Sequence, residues 1–158
     1  MLTISFQNQL LQNLQLLPKQ KNKEEVTLAK IIDPIIELSG FDSMNIMSVE
    51  EEYDASIGGL HPIEIDKCLK KDGKPIAFMQ SKQIGSSYRF KSDYERTFKA
   101  ALLQQIPWVI FTDGESWEFH KLNGIQYERI TAITLRYDQS QYLVIVTILK
   151  NIKGDTWT

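Results

Sequence analysis

One cysteine and two histidines are all that this 158-residue chain has of either type: Cys68, His61 and His120. A lone cysteine cannot close an intrachain disulfide, and its free thiol points to a reducing compartment. These three residues are scattered, so nothing has the ligand spacing of a zinc site. His61, beside Pro62, reads as a loop residue, and His120 as a strand residue facing solvent. No apolar run approaches the roughly 20 residues of a membrane span. Met1-Leu2-Thr3-Ile4 lacks the basic start of a signal peptide, so cytoplasm is the expected location and no membrane partner is expected. The chain also lacks a Gly-x-x-x-x-Gly-Lys-[Ser/Thr] phosphate loop and a Gly-x-Ser-x-Gly elbow, which removes P-loop nucleotide chemistry and hydrolase-type serine catalysis.

Charge of one sign is not in excess. The formal net charge is -2, which does not advertise a nucleic-acid partner. The distribution says more. Between Glu24 and Asp66 nearly every charge is acidic, with Glu50, Glu51, Glu52 and Asp54 clustered and Lys30 the exception. Between Lys67 and Lys99 the balance reverses: Lys67, Lys70, Lys71, Lys74, Lys82, Arg89, Lys91, Arg96 and Lys99 face only Asp72, Asp93 and Glu95. A basic flank beside an acidic centre suits a protein that grips phosphate while holding a cation. An unevenly charged solvated surface gives the same counts.

Ordinary hydrophobic and charged shares, 42% and 24%, fit one globular domain spanning residues 1–158. We divide it into an N-terminal helix and connector (1–22), a core (24–120) and a C-terminal extension (121–158). Phe6, Leu10, Leu14 and Leu17 repeat at helical spacing until Pro18, and Lys19 to Lys23 is a polar connector. A second helix is expected from about Glu24 to Ser39, with Pro34 kinking or breaking it near Asp33 and Gly40 ending it. A strand around Ile46 to Tyr53 and a Gly58-Gly59 turn follow. Ile63 to Leu69 and Ile76 to Met79 read as a hairpin through Asp72-Gly73-Lys74-Pro75. Ser92 or Asp93 is the expected cap of a helix ending near Gln105. Pro107 to Thr112 is an apolar strand. Asp113-Gly114 is a tight turn, and Trp117-Glu118-Phe119 begins the returning strand. Trp108 and Trp117 read as packing residues. Asn123-Gly124 marks another hairpin. Ile130 to Leu135 and Tyr142 to Leu149 read as two more strands, an extra C-terminal hairpin, although the second run is long enough for a helix.

The polar residues of the central hairpin are in unusual places. The apolar run Ile76-Ala77-Phe78-Met79 delivers Gln80, Ser81 and Lys82 at its end. Side chains alternate along a strand, so Gln80 and Lys82 share one face, and Asp66 on the neighbouring strand can join them. Polar and charged groups at the end of a buried strand are costly to place without a reason. A divalent metal and its bound water would be one. An ordinary ion pair at a strand end would also account for Asp66 and Lys82.

Three stretches carry a resemblance: Ile32-Asp33-Pro34-Ile35-Ile36 with Gly40-Phe41-Asp42, the run from Asp66 to Lys82, and Pro107 to Phe119. Together, in order and spacing across roughly Glu24 to His120, they resemble the nuclease domain of type I restriction enzyme R subunits. That resemblance implies an α/β fold of the restriction-endonuclease-like, PD-(D/E)XK type: a mixed central sheet flanked by helices in the order αβββαβ. It implies that Asp66 is the metal-binding aspartate, with Ile65 where a proline usually stands, and that Lys82 is the catalytic lysine. Gln80 takes the place of the usual Glu or Asp. Glu24 matches an acidic residue on the first helix that aids the metal, with Glu25 as fallback. The family's Gln and Tyr pair on the later helix falls on Arg96 and Ala100. The implied chemistry is Mg²⁺- or Mn²⁺-dependent phosphodiester hydrolysis. Asp66, Gln80 and the Ser81 carbonyl would hold the metal, and Lys70, Lys74, Arg89 and Lys91 would contact a DNA backbone. A homodimer is compatible with it. The helicase motor that accompanies this domain in type I enzymes is not expected, because no phosphate loop is present. Three readings stay open: an active nuclease, a nuclease-like domain that only binds nucleic acid or a partner, and an interaction module built on the leucine-rich first helix.

Overall fold

The computed structural model describes residues 4–17, 24–56 and 63–154. Pro18, the 19–23 connector, Gly58-Gly59, His61 and the side chain of Phe6 lie outside the described residues. A six-stranded mixed sheet runs through the molecule in the spatial order β1-β2-β3-β4-β5-β6. Its strands are β1 Val49–Asp54, β2 Glu64–Lys71, β3 Lys74–Ser81, β4 Trp108–Thr112, β5 Ser116–Asn123 and β6 Gln126–Thr134. Only β3 and β4 pair in parallel, because the chain crosses between them through helix α4 (Lys91–Leu103); every other neighbour pair is antiparallel. Among the described residues no helix is long and apolar enough to cross a membrane.

Alternation along the central strands builds a core on each face. Ala77, Met79, Ile110, Trp117 and Phe119 point to one side. There they meet α1 (Ile4–Leu16), the segment α2 (Glu24–Thr27) to α3 (Asp33–Leu38), and α5 (Tyr142–Lys153). Phe78, Val109 and Phe111 point to the other side and meet Ala100 and Ala101 of α4. Leu10, Leu14 and Leu17 are buried, as their spacing predicts. Between α2 and α3 the chain makes a π-helical turn, Leu28–Ile32, instead of breaking. Pro34 has no N–H to offer the Lys30 carbonyl, and Asn13 of α1 supplies a donor to it at 3.2 Å.

Four expectations are corrected. The run 142–149 is not a strand: Tyr142, Ile145, Val146, Leu149 and Ile152 form one buried helical stripe, so the C-terminal hairpin is β5–β6 alone. The first strand begins at Val49, because Asn45 and Asp42 side chains accept the Met47 and Met44 N–H groups and hold 42–48 in turns. Neither Ser92 nor Asp93 caps α4. A 3₁₀ turn, Ser87–Arg89, runs into it, the Ser92 hydroxyl donates to the Arg89 carbonyl, and Asp93 is buried in ion pairs. His120 does not face solvent. It is 6% exposed, lies among Tyr94, Phe98 and Phe111, and its Nε2 is 3.0 Å from Glu118 Oε1.

Behind the hairpin end, Asp113 ties two loops together. Its carboxylate is 1% exposed and accepts four backbone N–H groups, from Gly85 and Ser86 on one oxygen and from Glu115 and Ser116 on the other. Burial still pushes its pKa up despite those donors. Gly114 follows at φ +87, and a Cβ there would meet Thr27 Cγ2 at 2.8 Å. The loop leaving Lys82 is thus fixed from below, and Thr27 Oγ1 accepts the Ile84 N–H from the side. Asp113→Ala leaves four donors without their acceptor and should cost about 3 kcal/mol or more. A thermal melt should fall by about 10 °C.

Candidate functional site

The β2–β3 ladder runs from Lys71↔Lys74 at the turn to Lys67↔Met79, and its register ends there. On the other side of β2, the β1 register includes Lys67 and Ile65 but omits Asp66 and its would-be partner Glu52. Glu52 adopts φ 51, a left-handed conformation that interrupts regular pairing. Asp66 is therefore outside the ladder on both flanks. Its N–H bonds the Gln80 side-chain oxygen at 3.2 Å, and its Oδ2 accepts the Ser81 N–H at 2.8 Å. Side chains have taken over where backbone pairing stops, and the strands part around a cleft of about 390 Å³.

The structure brings Asp66, Gln80, Ser81, Lys82 and Glu24 to this cleft, with Glu64, Asp93 and Arg96 beside them. The Ser81 hydroxyl lies 3.2 Å from Asp66 Oδ2 and 3.2 Å from Glu24 Oε1, so two carboxylates converge on one hydroxyl. Burial, then the neighbouring Asp66 charge, raises the pKa of Glu24. Gln80 is 3% exposed and engaged at both ends: its oxygen accepts from Asp66, and its Nε2 donates to Thr97 Oγ1 of α4 at 3.3 Å. Lys82 Nζ lies 2.5 Å from Asp93 Oδ2, and Arg96 Nη2 lies 2.6 Å from Asp93 Oδ1.

Among the described residues no three Asp, Glu, His or Cys side chains converge as a metal site. What converges is the carboxylate pair Glu24 and Asp66, next to neutral oxygens of Ser81 and Gln80. A protein usually holds Mg²⁺ with one or two carboxylates, the rest of its shell being water and substrate oxygens. A hard cation would also relieve the repulsion that raises Glu24. The donor set therefore fits such an ion through Glu24 and Asp66. Gln80 could share in it only while its oxygen also serves the Asp66 N–H.

The basic residues are less unified than the sequence suggests. Lys70 is buried and paired with Glu50 at 2.6 Å, with its ammonium over the Tyr53 ring. Lys67 is buried between Asp33 at 2.9 Å and Glu51 at 2.7 Å. Lys74 is exposed, but at the turn end of the eight-residue β3, roughly 20 Å from the cleft. Arg89 and Lys91 are exposed where the chain enters α4, just ahead of Asp93. Glu25 lines an acidic groove next to the cleft, together with Glu51, Glu52 and Glu64. Sequence reasoning read Asp93 as a helix cap rather than a site residue, and Arg96 as one charge of the basic flank and a substitution in a family position. Asp93 and Arg96 stand three apart on one helix, a spacing that brings opposite charges together. Ala100, four residues further, is buried in the α4 core.

No family model, curated protein or solved structure matches the chain.

The raised Glu24 pKa carries a sign. A carboxyl whose folded pKa lies above its unfolded one gives stability that is fully present below the ordinary carboxylate range. That stability is lost as pH rises through the folded value. Glu24→Gln keeps an acceptor for Ser81 and removes the charge beside Asp66. The variant should melt higher than the parent at pH 7, with the gain vanishing when both are melted below about pH 4.

Proposed function

We propose that this chain is a restriction-endonuclease-like domain that hydrolyses phosphodiester bonds in nucleic acid, with DNA the first substrate to test and a divalent cation as cofactor. The observation that carries the reading is the convergence of Asp66, Gln80, Ser81, Lys82 and Glu24 in one cleft where β2 and β3 part. The order of elements supports it: a helical segment, β1, β2, β3, α4 and β4 follow one another as α, β, β, β, α, β. Glu24 and Asp66 are the carboxylates for Mg²⁺ or Mn²⁺. Bound there, such an ion supplies Lewis acidity and a water of lowered pKa. Lys82, on the opposite wall, places a positive charge where charge develops on the phosphate. Asp113 and Thr27 hold the loop that follows Lys82, which keeps that wall rigid.

A second reading is a nuclease-like scaffold that binds without cutting. The engagement of Gln80 at both ends favours it, as do Arg96 and Ala100 in place of the resembled Gln and Tyr pair.

Incubation with single- and double-stranded DNA and RNA, in Mg²⁺ and in Mn²⁺, separates the two. Cleavage should appear in the parent and fall by about 10²-fold or more in Asp66→Ala and in Lys82→Ala. Nucleic-acid binding with no cleavage under either ion would establish the second reading instead. Gln80→Glu adds a third carboxylate at the cleft. Thr97 can accommodate it by turning its hydroxyl from acceptor to donor. Calorimetry should show tighter Mg²⁺ binding in this variant, and the metal-free protein should melt lower because the new charge faces Asp66. Unchanged Mg²⁺ affinity in a normally folded variant would remove the metal from the reading.

A further inference from the structure

We propose that Lys82, Asp93 and Arg96 form a phosphate-docking triad, in which Asp93 positions Lys82 and Arg96 is the arm that moves onto a nucleic-acid phosphate. The proposal rests on the hydrolytic reading above and adds to it Asp93, which the resemblance does not assign, and Arg96, which stands where the resembled domains have a Gln.

The two cations hold Asp93 unequally. The Asp93 side chain is 5% exposed, and each oxygen has its own cation: Oδ2 faces Lys82 Nζ at 2.5 Å, and Oδ1 faces Arg96 Nη2 at 2.6 Å. A carboxylate this buried must stay paired, since an uncompensated buried charge is strongly destabilising. Lys82 is 17% exposed and Arg96 is 59% exposed. The Arg96 contact is thus a solvent-screened pair, weakly held. Its departure leaves Asp93 still paired with Lys82. Departure of Lys82 would leave only the screened partner. Lys82 is the fixed member of the triad and Arg96 the exchangeable one.

Geometry and charge then point to one ligand. An ammonium has three N–H groups, so bonding Asp93 leaves Lys82 donors for the cleft. A guanidinium released from Asp93 presents a planar fork that matches two oxygens of a phosphate. The triad carries one net positive charge, whereas Glu24, Asp66 and Glu64 make the opposing wall negative. A phosphodiester entering the cleft is drawn to the α4 wall and repelled from the other. Lys70 and Lys74 take no part, the first buried with Glu50 and the second at the far end of the sheet.

Two measurements test this on the full chain. The first needs no nucleic acid. Lysine ammonium groups held in a hydrogen bond give slowly exchanging proton–nitrogen NMR signals, and Lys82→Arg assigns the one from Lys82. That signal should be present in the parent, persist in Arg96→Gln and disappear in Asp93→Asn. The second is steady-state cleavage of a short DNA with Mg²⁺. Arg96→Gln should raise KM about tenfold, well beyond its effect on kcat, and Arg96→Lys should recover only part of that. Asp93→Asn should act mainly on kcat, with partial rescue by Asp93→Glu. A Lys82 signal that survives in Asp93→Asn, or a KM unmoved in Arg96→Gln, would overturn the triad and leave the hydrolytic reading intact. If Asp93→Asn does not fold, the parent spectrum decides. A Lys82 ammonium exchanging as fast as exposed Lys74 overturns the proposal. A parent that cleaves nothing in either ion overturns the hydrolytic reading and the triad with it.

Discussion

The pair formed by the Asp66 carboxylate and the Ser81 N–H governs the rest of the cleft. It joins the first residue of β2 and the second of β3 beyond the last ladder pair, Lys67↔Met79, and it lets the two strands separate without stranding a buried donor. Glu52 does the complementary job on the other side, where its left-handed turn releases Asp66 from β1. Once Asp66 is out of both ladders, Gln80 falls between the Asp66 N–H and Thr97, Ser81 turns to Glu24, and Lys82 reaches Asp93. An interior strand has become an opening without a break in the sheet, because β3 remains paired with β4 from Ala77 to Ser81.

The two faces of the sheet then divide the labour. One is covered by α1, the α2–α3 segment and α5, and it presents Glu24. The other is covered by α4 and presents Asp93, Thr97 and Arg96. A carboxylate wall and a cationic wall arise from the ordinary alternation of β3 side chains, Ser81 toward one and Gln80 and Lys82 toward the other. Their opposite charges lie on the two faces of the sheet, and it is the sheet rather than distance along the chain that keeps them apart.

Much of this was legible in the sequence, and for definite reasons. Period-two alternation around the Asp72-Gly73 turn puts Gln80 and Lys82 together on the α4 face, but Asp66 does not join them there: out of register with both neighbours, it turns its carboxylate to the Ser81 N–H and hydroxyl, on the side of Glu24. The helix of leucines and the Asp113-Gly114 and Asn123-Gly124 turns also stand where local chemistry puts them. What was illegible depended on tertiary partners. Val144, Ile145, Val146 and Thr147 look strand-like by propensity, yet the stripe from Tyr142 to Ile152 packs on the sheet as a helix. Asp93 has the composition of a cap, but a buried carboxylate between two cations is only visible once Lys82 is beside it. Lys67 and Lys70 count as surface charge in a sequence, whereas acidic partners from α3 and β1 let them be buried. His120 is hidden under α4 by aromatic neighbours far from it in sequence.

Cys68 has no exposure at all in the middle of β2, and burial pushes its thiol up to about 12. In the native state it is therefore neither reachable nor ionised, so alkylating reagents and mild oxidants have nothing to attack. It is also the only thiol in the chain. Any cysteine introduced at an exposed position can be labelled by itself, with no need to remove the native one. Conversely, the rate at which Cys68 becomes modified is a clock for the opening of the sheet, read without a spectroscopic probe and at the strand that carries Asp66.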